Sequence, residues 1–159
     1  YIEPARKGME EALEGGILAG YPMIDVKVEL YDGSYHEVDS SEMAFKMAAS
    51  IAYKEGMKNA DPVMLEPIGT LNVSAPDENT GDIMGELNKR RGRVLGMNPT
   101  AEGETTITAE VPFREMHDFA MYLRQVTRGM GNFTLEFLRY EPLPANLLGE
   151  VIASIAVNE

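Results

Sequence analysis

The order of apolar periodicities after Asp61-Pro62 constrains this chain more than any other feature. A strand-like run over 68–75, ended by Pro76, gives way to helical spacing over 81–91, with Ile83, Met84 and Leu87 facing inward. A short strand at 93–97 leads into the turn-rich stretch Asn98-Pro99-Thr100-Ala101-Glu102-Gly103. The next strand places Ile107, Ala109 and Val111 on one face. A second helix uses Met116, Phe119, Ala120 and Leu123. The last strand alternates Phe133, Leu135 and Phe137 against Thr134, Glu136 and Leu138. This β-α-β-β-α-β order predicts an α+β fold of the ferredoxin-like kind, an antiparallel four-stranded sheet covered on one face by two helices. Pro142 and Pro144 end the unit, and Leu147, Leu148, Val151, Ile152 and Ile155 give 146–156 the spacing of a short amphipathic helix.

The residues before Asp61 read as helix, strand, loop, helix. Pro4 suits a first turn, Ala5, Met9, Ala12 and Leu13 form an apolar face, and Gly15-Gly16 ends the helix. Ile24, Val26, Val28 and Leu30 alternate with Asp25, Lys27 and Glu29, the clearest strand pattern in the chain. Asp39 with Glu42 predicts a capping box ahead of a helix that ends at Gly56 or Asn59. One strand cannot make a sheet, so this part is expected either to have partner strands upstream in a longer polypeptide or to have its edge paired by some other means. The absence of an initiator Met leads to the expectation of a longer polypeptide, and the start of the chain carries no signal-peptide pattern.

The net charge is −12, which argues against binding RNA over the whole surface and confines any nucleic-acid contact to a local patch. Cysteine is absent and no apolar run reaches the length of a membrane span. A cytoplasmic protein with no membrane contact is expected. Asn72-Val73-Ser74 and Asn132-Phe133-Thr134 match the glycosylation pattern but fall in strand-like segments.

Catalytic patterns are weak. Gly81-Asp82-Ile83-Met84-Gly85-Glu86 lacks the Lys and hydroxyl residue of a phosphate loop, and Gly129-Met130-Gly131 precedes a strand and reads as a turn. The two histidines, His36 and His117, lack metal-ligand spacing. Ser34, His36 and Asp39 make a hydrolase set on paper of the kind that arises by chance in any polar loop. No catalytic residue, metal site or cofactor is expected within this chain.

Two features remain. The loop 32–38 reads either as a polar strand-to-helix turn or as a projecting tip. In the second reading Tyr35 stacks on bases and His36 exchanges hydrogen bonds with RNA. Lys89-Arg90-Arg91-Gly92-Arg93 reads either as favourable charge at a helix C-terminus capped by Gly92, or as a phosphate-binding patch.

Longer motifs carry a resemblance. Leu18-Ala19-Gly20-Tyr21-Pro22, Asp25-Val26-Lys27-Val28 and the run from Tyr31 through His36 to Lys46 resemble the later half of domain IV of elongation factor G. Leu65-Glu66-Pro67-Ile68 and the run from Gly81 through Asn88-Lys89-Arg90-Arg91-Gly92-Arg93 to Met97 resemble domain V of that family. Met121-Tyr122-Leu123-Arg124, Thr127-Arg128-Gly129-Met130-Gly131 and Phe137 continue the match, which fades after Pro144.

The resemblance implies part of a ribosomal protein S5 domain 2-like domain IV over 1–60, a ferredoxin-like domain V over 61–142, and a C-terminal helix or tail over 143–159. It implies a non-enzymatic part of a translational GTPase, whose GTP and magnesium belong to a domain outside this sequence. The ribosome (rRNA, tRNA and mRNA) and the N-terminal domains of the same polypeptide are the implied partners, with a monomer as the functional state. Gly33, Ser34, Tyr35, His36 and Glu37 would form the domain IV tip at the decoding region. Lys89, Arg90, Arg91 and Arg93 would contact rRNA. The alternatives are a paralogous factor in ribosome recycling or protection, and a stand-alone ferredoxin-like module that binds a small ligand.

Overall fold

The computed structural model describes residues 1–156, and the chain divides into two compact units. One comprises Tyr1–Met64 together with the segment from Pro144 onward, and the other is Leu65–Leu143.

The second unit is an antiparallel sheet with two helices. Its elements are β1 (Leu65–Pro76), α3 (Thr80–Lys89), β2 (Arg93–Ala101), β3 (Glu104–Pro112), α4 (Phe119–Val126) and β4 (Asn132–Pro142), and the strand order is β2-β3-β1-β4. Alternation along β1 and β3 puts Leu71, Val73, Ala75, Ile107, Ala109 and Val111 on one face, all fully buried. Ile83 and Leu87 of α3 and Phe119 and Leu123 of α4 close over them, with Met116 beside them. The Phe119 and Phe133 rings meet edge to face at 5.1 Å. The opposite face of the sheet is polar. Ser74 and Thr106 hydroxyls lie 3.1 Å apart, and Thr108 donates to Asn72 at 2.8 Å.

This is the ferredoxin-like α+β fold that the sequence predicts, with local departures. The stretch 98–101, expected as a turn, extends β2 because it pairs with β3, leaving Glu102-Gly103 as the connection. Ala120, expected inward, is exposed, since only one stripe of the eight-residue α4 reaches the core. Phe137 is also exposed, although it pairs with Gly69 in the same register that carries Phe133 and Leu135; beyond it the β1–β4 register slips and leaves Leu138 without a partner.

The first unit holds α1 (Ile2–Gly15) and α2 (Glu42–Asn59), packed against each other. Gly8 is the point of closest approach, where a Cβ would stand 2.2 Å from the Lys46 carbonyl oxygen. Across the same seam Lys46 Nζ pairs with Glu11 at 2.7 Å. The strand expected at 24–30 does not form. Asp25 takes a left-handed φ of 57° that interrupts the extended course, and no described residue offers 24–30 a strand partner. The expected capping box is also displaced. Ser41, not Asp39, is the N-cap of α2, and its side chain accepts from the Ala44 N–H at 3.0 Å. The C-terminal segment forms α5 (Ala145–Ala156), with Val151 buried and Leu147 and Leu148 half-buried. No helix among the described residues is long and apolar enough to cross a membrane.

Candidate functional site

The loop Asp32–Val38 has no regular structure until a tight turn over 37–39. Asp32 starts it by accepting from the Gly33 N–H at 2.8 Å. Gly33, Ser34, Tyr35, His36 and Glu37 are all exposed, and Tyr31 and Val38, which flank them, are 94% and 91% exposed. The loop is nevertheless anchored. Tyr35 stacks on Tyr1 at 5.5 Å, and Tyr1 stacks on Phe45 of α2 at 4.4 Å with the rings 5° from parallel. The backbone N–H of His36 donates to Ser40 Oγ, and the His36 carbonyl accepts from the Ser40 N–H, both at 2.9 Å. The imidazole itself faces solvent.

The basic cluster divides by burial. Arg90 is only 8% exposed. Its guanidinium donates to Glu86 Oε1 at 3.0 Å, to the Glu115 carbonyl at 2.7 Å and to the Asp118 carboxylate, and it lies over the Phe119 ring at 5.5 Å. The hydrogen bond from Arg90 holds Asp118 below the usual carboxylate range. Arg91 grips the buried Glu66 with two bonds of 2.8 and 2.9 Å and reaches Glu115 at 3.2 Å. Removing one partner from such a pair leaves a buried charge uncompensated, at a cost of roughly 3 kcal/mol. Arg93 is exposed but leans on Glu110 at 2.6 Å. Glu110 also receives Arg139, and these two cations push its pKa down to about 2. Of the four expected rRNA-contact residues, Lys89 alone is exposed without an acidic partner among the described residues.

The cap of α3 also differs from expectation. Arg91 takes the left-handed conformation after the helix, at φ 60°. Gly92 serves close packing: its N–H donates to the Leu87 carbonyl at 2.7 Å, and a Cβ there would meet that same oxygen at 2.9 Å.

Three further cations in this unit are exposed and lack an acidic partner among the described residues: Arg114, Arg124 and Arg128. Arg124 sits in the last turn of α4, and Arg128 follows it in the turn to β4 at φ 53°. Sequence reasoning passed over them because they are spread out. The signal was legible: residues 119–135 contain no acid in a chain of net charge −12.

The fold and these groups define a class, a two-unit α+β protein that presents an anchored aromatic–histidine turn and isolated cations to solvent. Comparison with known proteins places it further. Residues 1–61 match the family model for elongation factor G, domain IV, and residues 63–151 match that for the elongation factor G C-terminus. An elongation factor G-like protein of Thermotoga maritima is 51% identical over 152 residues, which are 96% of this chain and 22% of that protein. A crystal structure of a Thermus thermophilus protein superposes with a TM-score of 0.81 at 43% identity, over 99% of this chain and 24% of that one. The chain belongs to the elongation factor G family. It spans under a quarter of the length of these relatives.

Proposed function

We propose that this chain is the ribosome-contacting part of a translational GTPase that moves tRNA and mRNA through the ribosome, with the loop 32–38 as the group that enters the decoding region. The observation that carries the reading is the anchored turn. Tyr35 is tied through Tyr1 to α2, while the His36 imidazole is left free to meet an external partner. A stacked aromatic beside a hydrogen-bonding side chain suits unpaired bases and 2′-hydroxyls. GTP hydrolysis would take place in a domain outside this sequence, and the cytoplasm is the compartment this role requires. In this reading phosphate contact falls to Lys89, Arg114, Arg124 and Arg128, while Arg90 and Arg91 hold the domain together and Arg93 is paired with Glu110.

Substitution of His36 in the complete factor tests the proposal. His36→Ala should slow single-round tRNA–mRNA movement by about tenfold or more while GTP hydrolysis stays within about twofold of normal. Equal loss of both activities, or an unchanged rate of movement, would remove the tip assignment.

A paralogous role in recycling or protection is the second reading. It is favoured by the name of the Thermotoga maritima relative, which is described as elongation factor G-like. It predicts ribosome binding with a non-hydrolysable GTP analogue but no movement of tRNA.

A further inference from the structure

We propose that Ser40 is a positioning residue for His36, closing the turn that presents the imidazole; the proposal rests on the tip reading above. Both backbone groups of His36 are engaged by this one residue. The His36 N–H donates to Ser40 Oγ at 2.9 Å, and the Ser40 N–H donates to the His36 carbonyl at 2.9 Å. The Asp39 N–H shares that carbonyl at 3.3 Å. Glu37 and Val38 form the apex. Backbone groups in an exposed loop otherwise bond to water and sample many conformers. Two mutually closed bonds remove that freedom at His36, while its side chain stays unengaged.

The neighbouring serine has a different task. Ser41 Oγ is taken by the Ala44 N–H and starts α2. The pair Ser40-Ser41 thus separates closing the turn from beginning the helix. On the other side of His36, the stack of Tyr35 on Tyr1 fixes the chain where it enters the turn. The His36 backbone is held from both directions before any partner arrives, so docking has less conformational freedom to remove.

The test uses the complete factor with Ser40→Ala, Ser40→Thr, Ser41→Ala, His36→Ala and the Ser40→Ala/His36→Ala double variant. Millisecond hydrogen exchange, resolved to the His36 amide by mass spectrometry, reads the turn, and single-round tRNA–mRNA movement reads the function. Ser40→Ala should raise exchange at the His36 amide about five- to tenfold and slow movement several-fold, with GTP hydrolysis unchanged. Ser40→Thr, which keeps the hydroxyl, should restore both. Ser41→Ala should leave the His36 amide unaltered, and Ser40→Ala should add nothing in the His36→Ala background. Unchanged exchange in Ser40→Ala, or equal slowing with and without His36, would overturn the proposal. A normal rate of movement in His36→Ala would count against the tip reading alone, and exchange at the amide would still decide whether Ser40 holds His36.

Discussion

Lys89 and Arg90 are neighbours in the sequence with opposite fates, one facing solvent and the other enclosed by Glu86, Asp118 and two aromatic rings. Only one of those partners was legible: Glu86 stands four residues before Arg90, the spacing of neighbours on a helix. Asp118 and the partners of Arg91, Glu66 and Glu115, lie between 24 and 28 positions away and meet the arginines only once the sheet and helices have packed. A dense basic cluster therefore looked like a surface patch although much of it is internal. Glu110 gives this scale a pH test. Its pKa of about 2 in the folded chain lies below an unfolded value of about 4.3, so folding favours its charged form. That contribution is intact above about pH 4.3 and is lost as the pH falls toward 2. Denaturant midpoints measured at about pH 6 and about pH 3 should fall less for Glu110→Gln than for the unchanged chain. An equal fall would remove Glu110 as an acid-sensitive group.

Elements of the second unit were legible because each is settled by its own periodicity, and all four strands and both helices of the sheet unit lie where the alternations put them. Their edges were less so. The length of β2 depends on register with a partner strand, which no local pattern encodes, and Phe137 keeps the alternation of Phe133 and Leu135 yet lies exposed. The segment 24–30 has a strand's alternation and no ladder, since a strand is a property of a pair. Gly8 carries no signal of its own in the helical pattern, yet it sets how closely α1 and α2 approach. The added methyl of Gly8→Ala would collide with the Lys46 carbonyl and force the helices apart. It should destabilise their packing by roughly 1–3 kcal/mol, read as faster hydrogen exchange throughout α1. Unchanged exchange there would mean that the seam relaxes freely.

At the scale of the whole molecule, the proposed RNA contact of an acidic chain is expected where its cations are free of its own carboxylates. The acid-free run 119–135, with Arg124 and Arg128, meets that condition. Arg90 and Arg91, deep in carboxylate partners, do not. The loop carrying His36 was legible as a candidate because aromatic and imidazole side chains crowd a turn. Its anchoring was not, because Tyr1, Phe45 and Ser40 are ordinary residues until the fold brings them to it. The division between structural and outward-facing charge is measured most directly by the salt dependence of ribosome binding. With log affinity of the complete factor plotted against log salt, Arg124→Ala/Arg128→Ala should flatten the slope by roughly 1.5, about 0.7–0.9 for each phosphate no longer neutralised. Arg91→Ala should lower thermal stability and leave the slope of the folded protein unchanged. A slope that responds to Arg91 and ignores Arg124 and Arg128 would contradict the account.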